Sequence, residues 1–234
     1  LSTRSNRNPR PPMTTEFLEV RFYIPDRGTS VDIADLLRYC GRTFDLSGDD
    51  PSTTRCLGPN AAGEFPSELP LEDAIERVSS GRHGVLWFQT DDIEFGVYIH
   101  PDTDSPATVT VSVPDHYVRI SRSENVRTVV DNIVIPLYEY TEPVFVYGGT
   151  YLEDSSLDRK RIETGYIDRA FWLLAFGPRL VQTLGEACLE GLTTARFTEL
   201  SDGGRLLLLS DNPNTCTETQ RSDAETVLLE ECGL

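Results

Sequence analysis

The sequence predicts an α+β fold, an antiparallel or mixed sheet covered by helices, and three observations carry that reading. Short runs rich in β-branched and aromatic residues recur along the whole chain, from EFLEVRFYI at 16–24 to GRLLLLS at 204–210. Segments with apolar residues at helical spacing separate them. Several of the runs are joined by turns so short that hairpins must result. With 234 residues, the chain suits one large continuous domain or two packed halves.

The first strand, 16–24, closes at the turn Pro25-Asp26-Arg27-Gly28. A helix follows over 31–40, with Ser30 as N-cap, Ile33, Leu36, Leu37 and Cys40 on one face, and Gly41 as its stop. Residues 45–70 have no sustained apolar period and read as a long loop, a kind of segment that commonly carries function. Pro70 opens a second helix over 71–80, with Glu72 and Asp73 in the first turn and Gly81 past its end. Strands at 84–90, 93–100 and 107–114 come next, the first two joined at Asp91-Asp92. From 122 to 140, Val126, Val129, Val130, Ile133, Val134, Leu137 and Tyr138 mark a helix lying over the sheet, which Pro136 kinks or stops early.

The order then restarts. PVFVYGGTY at 143–151 reads as a strand, Tyr166–Phe176 as an aromatic helix, Gly177-Pro178 as a break, and 179–190 as a further helix. A hairpin over 194–200 and 204–210 turns at Ser201-Asp202-Gly203, and a last helix carries Ala224, Val227, Leu228 and Leu229 with Ser222 as cap. Both segments thus run strand, helix, hairpin, helix, which predicts two related halves, 14–141 and 142–234, or one continuous domain built from them. Residues 1–13 read as a disordered tail or start-site artefact, because Arg4, Arg7 and Arg10 precede Met13, the only methionine.

Charge is the strongest compositional signal. Lys and Arg total 21 against 38 Asp and Glu, a net charge of −17, and Lys160 is the only lysine. The acids are dispersed, as on a solvated surface rather than in an acidic arm. Such a surface repels itself at low ionic strength, and at about 1 M salt a Debye length of roughly 3 Å screens the repulsion. The composition resembles that of proteins from salt-in halophilic archaea. A field of this sign disfavours nucleic acid and anionic lipid and favours a basic protein partner. No apolar run approaches membrane-spanning length and no leader opens the sequence, so a cytoplasmic setting is expected. Five cysteines without a C-x-x-C pair fit neither a disulfide framework nor a zinc site, and free thiols are expected.

No phosphate-binding or dinucleotide glycine motif and no G-x-S-x-G nucleophile turn occurs, and no cofactor is expected. Gly148-Gly149 follows a strand, where glycines either let an anion approach the backbone or mark close packing. The loop His100-Pro101-Asp102-Thr103-Asp104 joins an imidazole to two carboxylates, with His116 on the next connection. As a dispersed catalytic site it would use His100, Asp102 and His116; as a cation site, His100, Asp102 and Asp104. A solvated acidic turn is the competing reading. Tyr138 and Tyr140, flanked by Glu139 and Glu142, form the tyrosine-and-acid pattern that suits a basic protein partner.

From Phe145 to Pro213 the order of features resembles immunity-protein families of polymorphic-toxin and type VI secretion systems. The residues that carry the resemblance are FVYGGTYLED, then FWLLAFGPRLVQTLGEACLEGL, then the Asp202-Gly203-Gly204 turn and RLLLLSDNP. It implies a noncatalytic α+β protein that neutralises or recognises a partner protein through an acidic surface. Two other classes stay open on the sequence: an enzyme with a dispersed His/Asp site near 100–116, and a nucleic-acid mimic with carboxylates at phosphate-like spacing.

Overall fold

The computed structural model describes residues 17–25, 32–43, 55–58, 67–80, 84–89, 94–100, 108–115, 122–150, 152, 157 and 159–231. Ten strands form one sheet: β1 Phe17–Tyr23, β2 Arg55–Gly58, β3 Ser67–Leu69, β4 Gly84–Gln89, β5 Glu94–His100, β6 Thr108–Pro114, β7 Phe145–Thr150, β8 Leu173–Phe176, β9 Arg196–Glu199 and β10 Arg205–Leu208. Their order is β3-β2-β4-β5-β6-β1-β7-β8-β10-β9, and every neighbouring pair is antiparallel. The fold is therefore α+β. The pairing of β1 with β7, from Leu18 opposite Thr150 to Tyr23 opposite Phe145, joins the two segments into one sheet over one hydrophobic core. Outward from that joint the segments differ, since a meander returns β6 to β1 while a single strand, β8, separates β7 from the β9–β10 hairpin.

Helix α1 (Ile33–Thr43) buries Leu36, Leu37 and Cys40, as its spacing requires. Asp32 caps it, the Ala34 N–H donating to Asp32 Oδ1 at 2.8 Å, and Ser30, expected in that role, lies outside the described residues. Gly41 does not end it. A Cβ there would come within 2.8 Å of the Leu71 side-chain tip, which marks where α1 packs on α2 (Leu71–Ser80). The expected loop at 45–70 contains β2 and β3, whose few residues are too short to show a period.

Helix α3 comprises Ser123–Val129, a π-helical turn at Val130–Val134, and Ile135–Thr141. The wide turn is how it passes Pro136 without stopping: the Ile135 N–H reaches back to Val130 O, just ahead of the residue that has no N–H to give. It ends at Glu142, whose φ of 44° is left-handed, with its N–H donating to Tyr138 O at 2.9 Å.

Short helices complete the second segment: α4 Arg159–Glu163, α5 Pro178–Leu184, α6 Glu186–Gly191 and α7 Glu218–Thr226. The continuous helix expected over 179–190 is broken at Gly185, whose φ of +84° favours glycine. The aromatic helix expected over Tyr166–Phe176 is absent; Leu173–Phe176 is a strand with all four residues buried. A central strand covered on both faces is apolar at every position, so it carries no alternation by which to tell it from a buried helix. The cap of α7 is Thr217, which exchanges a reciprocal capping box with Gln220, and not Ser222. Cys40 and Cys216 are buried free thiols, but Cys188 is disulfide-bonded, which corrects the expectation of free thiols throughout. Among the described residues no helix is long and apolar enough to cross a membrane.

Candidate functional site

The tyrosine-and-acid segment singled out in the sequence divides into two unlike parts, because a helix sends consecutive residues to different faces. Tyr138 turns inward, is 1% exposed, and its hydroxyl donates to the Asp202 carboxylate at 3.2 Å. Asp202 Oδ1 in turn accepts the Gly204 N–H at 2.8 Å. The hydroxyl and Gly204 are so close that a Cβ on residue 204 would collide with it. Tyr138 thus ties α3 to the β9–β10 turn and presents no ring to a partner, which corrects its placement on a binding face. Glu142 is exposed but serves as the left-handed end of α3.

Tyr140 and Glu139 face outward. The Tyr140 ring stacks on Tyr39 of α1, with centroids 4.0 Å apart and planes inclined by 14°. The Tyr39 hydroxyl donates to Pro136 O at 3.1 Å, which fixes the pair between the two helices. Both rings are half-buried. Desolvation first, then the charge on Asp35 with a contribution from Asp32, pushes the Tyr140 phenol up. Desolvation also raises Tyr39, with Glu139 contributing in the same direction. These carboxylates therefore crowd a common negative field around the stacked rings. Arg38 offsets part of it: its guanidinium grips Glu72 through Nε and Nη2 at 2.9–3.2 Å and reaches Asp35 at 3.1 Å. Among the described residues, Glu139 and Asp32 have no cationic partner. The result is a tyrosine ledge rimmed by acids where α1 meets α3. Pattern reading of α3 alone missed Tyr39, Asp32 and Asp35; the available signal was that Tyr39 lies off the apolar face of α1 and beside its acids.

Gly148 and Gly149 lie in β7 and have different reasons to be glycine. A Cβ on Gly148 would come within 3.0 Å of Glu19 O and the Val20 side chain of β1, so this glycine serves close packing. At Gly149 the nearest atom is Leu152 Cδ2, an ordinary 3.7 Å away. Beyond the Gly148–Leu173 pair the β7–β8 ladder stops while β7 continues to Thr150, and the strands part around a cavity of about 240 Å³. Gly148 and Gly149, Phe171, Trp172, Arg169 and Arg221 line it. The sequence reading did not single out either arginine.

His100 ends β5, paired with Thr108. Its side chain, together with Asp102, Asp104 and His116, lies outside the described residues, so the arrangement expected there is neither assembled nor dismantled. Among the described residues no group of three or more His, Cys, Asp or Glu is placed to hold a metal ion.

The chain shares its fold with the Pseudomonas aeruginosa T6SS protein PA0821. The TM-score is 0.56 at 15% sequence identity, and the match covers 93% of this chain and 72% of that one. At that identity the likeness concerns architecture and carries no residue correspondence. Neither a protein-family model nor a curated protein matches the sequence.

Proposed function

We propose that this protein is a noncatalytic binding module of a type VI secretion context, immunity-like, that recognises a basic protein partner through the ledge of Tyr39, Tyr140, Asp32, Asp35 and Glu139. The observation that carries the reading is the stacked tyrosine pair inside a rim of carboxylates. Half-buried tyrosines supply contact area at low entropic cost, their ring faces attract Lys and Arg, and the surrounding acids steer a cationic surface toward them. The shared fold with a T6SS protein supports the context. The Cys188 disulfide supports an oxidising environment for this role, against the cytoplasmic setting expected from the sequence.

The test is capture of partners by the tagged full-length protein at native ionic strength, run in parallel with Y140A and with E139K. A stoichiometric basic protein retained by the parent and lost by both variants, with Y140A weakening it by about 2 kcal/mol, is the expected result. A partner held equally by all three proteins would move the interface away from the ledge.

A further inference from the structure

The cavity between β7 and β8 runs against the electrostatic character of the rest of the molecule. In a chain of net charge −17, arginines find carboxylates easily, and Arg38, Arg127, Arg161, Arg196 and Arg205 each meet one. Arg169, in the irregular segment before β8, and Arg221, in α7, line one cavity and are in no ion pair among the described residues. The one acid lining the same space, Glu225, uses Oε1 to accept the Ala170 N–H at 3.0 Å. Trp172, 2% exposed, has its indole N–H donated to Ser210 O at 2.9 Å, so what it offers the cavity is apolar surface. A Cβ on Gly149 would meet Leu152, another residue of the lining, at an ordinary 3.7 Å, so a methyl group fits there without a clash.

We infer that this cavity binds a small oxyanion with an apolar body, an aryl carboxylate or aryl phosphate in chemical class. Arg169 and Arg221 hold the head group and the Trp172 side supports the body. Guanidinium groups suit this task because their planar N–H forks match carboxylate and phosphate oxygens. The volume of about 240 Å³ lies below the usual range for drug-sized ligands, which restricts the occupant to a single-ring compound. The inference is independent of the ledge and of any protein partner.

Isothermal titration of the full-length protein with benzoate, with phenyl phosphate and with cationic benzamidine tests it. One or both anions should saturate a single site while benzamidine does not, and the stronger anion identifies the head group. R169A and R221A change exposed residues and should each weaken binding about tenfold. G149A should keep the melting temperature and lose affinity, because its methyl group enters the cavity, which separates loss of the site from loss of the fold. Absence of saturable binding by either anion, equal binding of benzamidine, or affinity unchanged in the R169A/R221A double variant would overturn the assignment.

Discussion

The ledge at α1/α3 and the cavity at β7/β8 are built in opposite ways from the same acidic chain. The ledge sits on the outer surfaces of two helices, its rings half-buried and its charges negative. The cavity opens to solvent where β7 and β8 part, lined by buried residues of that edge, by α7 and by two exposed arginines. The contrast teaches that net charge describes the average surface but not the individual site. A dispersed acidic surface steers a large basic partner from a distance, whereas two local guanidinium groups decide what a small cavity can hold.

The largest effect that would sharpen this contrast concerns stability. Trp172 is core as well as cavity wall, so W172A should cost about 3–5 kcal/mol. Y140A removes one ring of a surface stack and should cost only about 1 kcal/mol. Denaturant titration of both variants measures the difference, and equal losses would mean that the ledge is part of the core after all.

Next in size is the tie between α3, which carries half of the ledge, and the β9–β10 turn. G204A forces a methyl group onto the Tyr138 hydroxyl and toward Phe176 O, which lies 2.8 Å from the Cβ position. Overpacking of this kind should cost about 1–3 kcal/mol. Y138F alone gives up a hydrogen bond worth about 1 kcal/mol, yet in combination with G204A it removes the closest clash. The double variant should therefore melt above the sum of the two single losses; simple additivity would show that the Phe176 carbonyl and Asp202, not the hydroxyl, set the penalty.

A smaller effect is expected on the alkaline side. Desolvation pushes the phenols of Tyr138 and Tyr147 well above the ordinary 10.0, with Asp202 adding to the first and Tyr23 to the second. Their folded-state values are raised, so their contribution is complete below the unfolded value. It is lost as pH climbs through about 10 toward the folded values, because the unfolded chain releases those protons first. Unfolding followed by circular dichroism should show stability falling above about pH 10, with a shallower fall in Y138F. An identical fall in Y138F would assign the alkaline limb to other groups.

Salt provides the gentlest lever. Dialysis from molar to low salt should reduce helical dichroism as repulsion among the dispersed acids is unscreened. D32N/E139Q should retain slightly more structure than the parent at low salt. Full structure in dilute buffer would set aside the salt-adapted reading of the composition while leaving the ledge intact.

Much of the architecture could be read locally because its elements are half-buried and periodic. β1 alternates between buried and partly exposed positions, α2 begins directly after Pro70 and runs over 71–80, and the β9–β10 hairpin is marked by Asp202-Gly203. The misread elements are those whose periodicity tertiary burial erased or whose ends another element determined. β8 is apolar throughout because both of its faces are covered, and α1 runs through Gly41 to Thr43 where it packs beside Leu71 of α2. In the candidate site, alternating tyrosines and acids on α3 drew attention to Tyr138 and Tyr140 together, while the helical spacing already put Tyr138 on the apolar face with Leu137, where the structure buries it.

The sequence by itself determined the α+β class, the negative field and the placement of most helices and strands, since these follow from composition, turn chemistry and the periods of single elements. Only the tertiary structure decided that Tyr39 stacks on Tyr140, that the Tyr138 hydroxyl meets Asp202, and that Arg169 and Arg221 share a cavity. Those pairings join residues more than 50 positions apart, and no local period can encode which elements the chain brings side by side.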